Sequence, residues 1–172
     1  SDDSDRSVPV SSAKLSALSD IVDGMAEEGK KLVIIARFLS EIDAIQKMLE
    51  QKAIRYSVVS GEIKDRDEQV RRFQKDPDTT VFIGQIATAG LGITLTAADT
   101  MVFYSLDYSM SNFEQTKARI HRVGQRNPCT YIYLIAGGTV DEKVLKALRD
   151  KADLARVLID DYRAGKNPFQ NN

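Results

Sequence analysis

The segment QTKARIHRVGQ, residues 115–125, concentrates cationic side chains in a chain whose formal net charge is −1. Read as a helix that continues through the next residue, it places Gln115, Arg119, Arg122 and Arg126 on one face, because their spacing is four, three and four residues. Neighbouring guanidinium groups repel each other, and their planar forks suit phosphate oxygens better than a lysine ammonium does. The segment therefore predicts an anion-binding face, although a solvated basic face at a helix C-terminus, favoured by the helix dipole, fits the spacing as well.

Two further segments hold residues of types that bind phosphate. In TAGLGITLTAAD (88–99), Gly90 and Gly92 would let backbone N–H groups approach a phosphate closely, but glycine loops are also ordinary turns. In SGEIKDRDEQVRRF (60–73), cations such as Lys64 and Arg66 are offset by neighbouring acids. An exposed helix with internal salt bridges is the default interpretation of that third segment.

Several function classes find no support in the chain. It contains no G-x-x-x-x-G-K-[ST] phosphate loop, no nucleophile elbow and no cluster of metal ligands, so we predict no metal site in it. One cysteine, Cys129, excludes an internal disulfide framework and a cysteine-rich zinc site. The single histidine, His121, has no neighbouring acid–base partner in the sequence. No apolar run approaches the length of a membrane span, so we expect no membrane partner.

Apolar periodicity predicts an α/β fold. Five short apolar runs predict buried strands: LVIIA (32–36), YSVVS (56–60), TVFIG (80–84), MVFYS (101–105) and TYIYLIA (130–136). Helical spacing predicts helices from Ala13, from Phe38, over 65–74, from near Ser109 or Ser111, and from Thr139 through Ile159. Strands that alternate with helices favour a mostly parallel central sheet, with ligand-binding loops along one edge.

The ends of the chain differ from its centre in composition. Residues 1–11 are rich in serine and aspartate and begin without methionine, so we expect a flexible tail on a processed or excised piece. Residues 164–172 are similar, which leaves 12–163 as one folded domain.

Together these segments resemble the C-terminal RecA-like lobe of SWI/SNF-type ATPases in helicase superfamily two. QTKARIHRVGQ is similar to the last helicase motif of that family, and Gln125 occurs there in the SWI/SNF branch, where the DEAD-box branch usually has arginine. TAGLGITLTAAD resembles the preceding motif, KLVIIARFLSEIDAI (31–45) resembles the opening of the lobe, and KDRDEQVRRFQ matches at Arg66 and Phe73. The resemblance covers roughly residues 12–160.

The resemblance implies a three-layer RecA-like domain and a division of labour between two lobes. ATP and Mg²⁺ would be held mainly by an N-terminal lobe outside this chain, while Arg122 acts as the arginine finger and Arg119 shares the phosphate or ties the lobes together. Gln115 would orient this network, and Gly90 and Gly92 would lie at the nucleotide.

The implied partner is the backbone of double-stranded DNA, contacted through Thr88, Ala89, Gly90, Arg66 and Lys64. The chain departs from the family in having Ala118 before the first arginine, split glycines at 90 and 92, and LDYSMSNFEQ (106–115) in place of a tryptophan-containing segment. These departures favour a bacterial or phage member, DNA-associated in the cytoplasm. A RecA-like interaction module that lost its motor, and an RNA-directed helicase lobe, remain alternatives.

Overall fold

The computed structural model describes residues 11–61, 65–89, 92–107, 110–135 and 156–159. The helices are α1 (Ser12–Glu27), α2 (Leu39–Gln51), α3 (Arg66–Lys75), the single-turn α4 (Ile86–Ala89) and α5 (Met110–Lys117). The strands are β1 (Leu32–Ala36), β2 (Arg55–Val59), β3 (Thr79–Gln85), β4 (Thr100–Phe103), β5 (Thr130–Ile135) and β6 (Arg156–Ile159).

The six strands form one sheet in the order β2-β3-β1-β4-β5-β6, and every neighbouring pair is parallel. Because β1 lies at the centre, with β3 on one side and β4 on the other, the chain reverses its direction of winding there. The carboxyl ends of all strands lie along one edge, which is where α/β proteins bind ligands.

Alternate strand residues build two cores, one on each face of the sheet. Leu32, Ile34 and Ala36 of β1 pack with α1 and α2, whereas Val33 and Ile35 pack on the opposite face. That opposite core also takes in Phe73 of α3, Phe113 of α5 and the loop before β4. The protein is therefore a three-layer α/β domain, with α3 and α5 on the same face as that loop.

The sequence predicts the five strands to within about two residues at each end, because strands buried on both faces consist of continuous apolar runs. The helix predicted through Ile159 is wrong at its end, since residues 156–159 form β6 against β5. Two β-branched residues in RVLI favour a strand, and pairing satisfies backbone groups along the edge of β5. The start of that helix, at Thr139, lies outside the described residues.

Candidate functional site

Two arginine side chains converge on one backbone carbonyl. Arg119 Nη1 and Arg122 Nη1 both donate hydrogen bonds to the carbonyl oxygen of Ile93, over 3.3 Å and 3.1 Å. Arg119 Nε also donates to the carbonyl oxygen of Gln115 over 2.8 Å. In the part of the chain that the structure describes, no carboxylate pairs with either guanidinium. We call residues 118–125 the arginine turn.

The arginine turn is not helical, which corrects the prediction of one continuous helix. Helix α5 ends at Lys117, and the N–H of Arg119 then bonds to the carbonyl of Thr116, three residues back. The carbonyl of Gln115, which a continuing helix would use for the backbone N–H of residue 119, accepts the Arg119 side chain instead. The two arginines therefore meet through the fold of the turn rather than through helical spacing.

The electrostatics of the pair favour an anion. Burial, and after it the nearby Arg122 charge, lower the pKa of Arg119 from its ordinary value. Arginine nevertheless stays protonated in proteins, so the repulsion between the two cations persists at neutral pH. An oxyanion that accepts from both guanidinium forks would relieve this repulsion, and phosphate has the geometry for it.

The loop of residues 93–98, which we call the 93–98 loop, supports the arginine turn along its length. The N–H of Leu95 donates to the carbonyl of Arg119 over 2.9 Å. Gln125 Nε2 donates to the carbonyl of Ala98 over 2.7 Å and to that of Ile120 over 3.0 Å. Gln125 Oε1 accepts from the backbone N–H groups of residues 126 and 127. Sequence reasoning used Gln125 only to separate two branches of a family and missed this structural role.

Glycine is required at two points of this assembly. Gly92 has φ +85°, and a Cβ there would lie 3.9 Å from Arg119 Nη1. Gly124, at φ +100°, closes the arginine turn beside Thr96. Residues with a Cβ adopt such φ values only with strain. The structure thus places the predicted Gly92 beside Arg119, while Gly90 lies outside the described residues.

Three of the residues predicted to meet DNA, Arg66, Thr88 and Ala89, lie at the carboxyl edge of the sheet. Arg66 begins α3 after β2, and Thr88 and Ala89 belong to α4, directly after β3. Because β2 and β3 are neighbours, these segments leave the sheet at the same edge. Helix α4 also packs next to α5. Helix α5 contains Gln115 and leads into the arginine turn. Lys64 lies outside the described residues.

A buried polar cluster at the same edge was not anticipated from the sequence. Ser105 Oγ donates to Glu41 Oε1 over 2.6 Å and accepts from the N–H of Arg37 over 2.7 Å. Lys14 Nζ donates to the carbonyl of Tyr104 over 2.9 Å. Burial raises the pKa of Glu41, against the opposing effect of these partners. The cluster connects the carboxyl ends of the central strands β1 and β4. Its members are far apart in the sequence, so no local pattern indicates it.

Comparison with known protein families places the chain in one of them. Residues 13–124 match the helicase conserved C-terminal domain family. The chain belongs to this family.

The helicase C-terminal domain has relatives among chromatin-remodelling ATPases of fungi. It is 34% identical over 152 residues to the INO80 chromatin-remodelling ATPase of Cryptococcus neoformans, covering 87% of this chain and 9% of that protein. It is 33% identical over 160 residues to the INO80 ATPase of Aspergillus clavatus, covering 92% of this chain and 9% of that protein. The chain thus spans about a tenth of the length of these relatives. The expectation of a bacterial or phage member finds no support in them, because they are eukaryotic.

A solved structure carries the same fold. The crystal structure of the C-terminal part of the Fun30 ATPase domain superposes with a TM-score of 0.74 at 24% identity, over 82% of this chain and 46% of that one. At this identity the likeness establishes the fold alone. The RecA-like three-layer fold expected from the sequence is confirmed by it and by the parallel sheet.

The described residues hold neither a cluster of metal ligands nor a membrane-spanning helix. Across those ranges no three His, Cys, Asp or Glu side chains are grouped so that they would hold a metal ion. Within the same ranges, no helix has both the length and the apolar character that crossing a bilayer requires.

Proposed function

We propose that this helicase C-terminal domain is the second motor lobe of a SWI/SNF-type, ATP-driven translocase on double-stranded DNA. The observation that carries the proposal is the pair Arg119 and Arg122, whose guanidinium groups share the carbonyl of Ile93 and have no carboxylate partner among the described residues. Fixed, uncompensated guanidinium groups stabilise the charge that develops when a γ-phosphate leaves.

The proposed chemistry divides between this chain and an N-terminal lobe of the same protein. That lobe would bind the β- and γ-phosphates of ATP and the Mg²⁺ ion, which supplies charge neutralisation when bound. Arg122 would contact the γ-phosphate, since its side chain is exposed and its anchor on the carbonyl of Ile93 occupies only one of its guanidinium nitrogens among the described contacts. Arg119, half-buried and bonded to Gln115, would share the phosphate or hold the turn in place. Backbone at Gly90 and Gly92 would approach the nucleotide.

DNA would be held through its phosphates at the carboxyl edge of the sheet. The candidate contacts are the backbone of Thr88 to Gly90, the side chain of Arg66 and that of Lys64. Because α4 packs against α5, a shift at the DNA-binding backbone would reach the helix that leads into the arginine turn. Such a connection would couple ATP hydrolysis to movement along the duplex. The protein would then be associated with DNA in the cell.

Arg66 provides a test of the DNA edge. We expect weak, sequence-independent DNA binding by this lobe, with a log–log salt slope of about −2 to −4 for two to four phosphate contacts. Arg66→Ala should make that slope shallower by about 1, as the loss of one phosphate contact does. Lys75→Ala, at the other end of α3, is the matched control and should leave the slope unchanged. Equal effects of the two changes would argue against an Arg66 contact.

The translocase proposal predicts movement on an intact duplex. The full-length protein should displace the third strand of a DNA triplex in the presence of ATP, and should fail to separate a forked duplex. Duplex DNA should stimulate its ATPase more than single-stranded DNA or RNA does, because phosphate contacts on a duplex would hold the lobe. Robust strand separation, or stimulation by RNA alone, would assign the protein to another branch of the superfamily. A protein without any ATP-dependent activity would be an interaction module.

A further inference from the structure

The last turn of α3 reaches the 93–98 loop through one glutamine. Gln74 Nε2 donates to Thr96 Oγ1 over 3.1 Å, and Gln74 Oε1 accepts from the N–H of Ala97 over 2.7 Å. Both functional ends of the carboxamide are therefore used on two adjacent residues of the loop. Neither the sequence patterns nor the proposed function assigns a role to Gln74.

These two residues belong to the part of the 93–98 loop whose side chains are not buried in the core. The side chains of Ile93, Leu95 and Ala98 are buried in the core, whereas Thr96 is half-buried and Ala97 is exposed. The position of residues 96 and 97 thus depends on their hydrogen bonds, and Gln74 provides one to the hydroxyl of Thr96 and one to the backbone N–H of Ala97.

The opposite side of the same loop holds the arginine turn. The carbonyls of Thr96 and Ala98 accept from Gln125 Nε2, and the carbonyl of Ile93 accepts from both arginines. The loop therefore lies between two glutamines, Gln74 from α3 and Gln125 from the arginine turn. A displacement of the loop at residues 96–97 would change the support of Gln125 and, through it, the direction of the guanidinium groups.

The end of α3 is held by contacts that do not involve Gln74. Phe73 is fully buried in the core. Lys31 Nζ donates to the carbonyls of Phe73 and Asp76, and the latter contact measures 2.7 Å. These contacts hold the helix end without involving Gln74, whose two side-chain bonds go to the 93–98 loop.

We propose that Gln74 is a positioning residue for the arginine turn and acts on Arg122 through the 93–98 loop. The inference rests on the proposed function, since it assumes that Arg122 meets the γ-phosphate. It also joins α3, whose first residue Arg66 is a candidate DNA contact, to the residues proposed to act on ATP.

The test is single-turnover ATP hydrolysis by the full-length protein, with enzyme in excess and saturating duplex DNA. Gln74→Met keeps the length of the side chain and removes both hydrogen bonds. We expect the hydrolysis rate to fall about 3- to 30-fold, as for loss of coupled contacts, with the KM for ATP within about twofold of wild type. Gln74→Glu keeps the acceptor for the N–H of Ala97 and should restore part of the rate. Lys75→Gln, its exposed neighbour, is the matched control and should match wild type.

A double-mutant cycle separates positioning from a general structural role. If Gln74 acts through Arg122, adding Gln74→Met to Arg122→Ala should slow hydrolysis by less than about twofold more. The same fall in both backgrounds, or no fall in the single variant, would overturn the inference. If Gln74→Met does not fold, Thr96→Val removes only the hydroxyl acceptor and serves in the same cycle. A wild-type rate in Arg122→Ala would instead refute the proposed function itself.

Discussion

Arg122→Ala in the full-length protein is expected to lower kcat for ATP hydrolysis by roughly 10³- to 10⁵-fold, the range found for arginine fingers. This corresponds to about 4–7 kcal/mol of activation free energy. The physical reason is that Arg122 lies in a turn anchored on the carbonyl of Ile93, so its charge would already be oriented when a γ-phosphate leaves. Steady-state kinetics with saturating ATP and duplex DNA measure the effect.

Matched substitutions give the Arg122 prediction its controls. Arg126→Ala removes the same charge from an exposed side chain directly after the arginine turn and should lower kcat far less. Arg122→Lys should be nearly as damaging as alanine, because the ammonium lacks the planar fork. ATP affinity should change little, since the other lobe would bind most of the nucleotide. Normal turnover by Arg122→Ala would mean that the cluster is a solvated basic face.

Phe113→Ala is expected to lower the free energy of unfolding of the chain by about 3–5 kcal/mol. Phe113 is fully buried, and its ring centroid lies 5.1 Å from that of Phe103 and 5.8 Å from that of Tyr133. Removal of the ring leaves a cavity between α5 and the sheet that rigid strands cannot fill. Urea denaturation followed by circular dichroism measures the loss.

The Phe113→Ala prediction has a matched control and a second expected effect. Phe113→Leu retains most of the apolar volume and should cost clearly less than alanine. Because α5 leads directly into the arginine turn, the same cavity should also loosen the turn and lower ATP turnover of the full-length protein at temperatures where the fold persists. A loss of stability below about 1 kcal/mol would show that the core collapses around the missing ring.

The layers of the fold were predictable because each depends on local pattern. LVIIA is apolar throughout and TYIYLIA is apolar or aromatic after its first residue, as expected of strands in a parallel sheet covered on both faces. Residues 156–159 were not predictable in the same way, because RVLI fits a helical stripe as well as a strand. Pairing with β5, which no local pattern encodes, decides the outcome there.

The site was predictable in its residue types and not in its geometry. Arginine spacing indicated a phosphate partner, yet the helix ends at Lys117 because side-chain and loop hydrogen bonds compete with the helical ones. The hydrogen bonds of Gln74 and Gln125 to the 93–98 loop join residues that are 22 to 29 positions apart in the chain. In the sequence, these glutamines cannot be distinguished from ordinary surface glutamines, because their hydrogen-bond partners are known only from the fold.

The most direct test of the account is a comparison of ATP turnover by this 172-residue chain and by the full-length protein, each with and without duplex DNA. The chain alone should show no turnover above background, because it has no phosphate loop of the G-x-x-x-x-G-K-[ST] type to hold the β- and γ-phosphates. The full-length protein should hydrolyse ATP and be stimulated by the duplex. Turnover by the chain alone that survives removal of contaminants would contradict the two-lobe account.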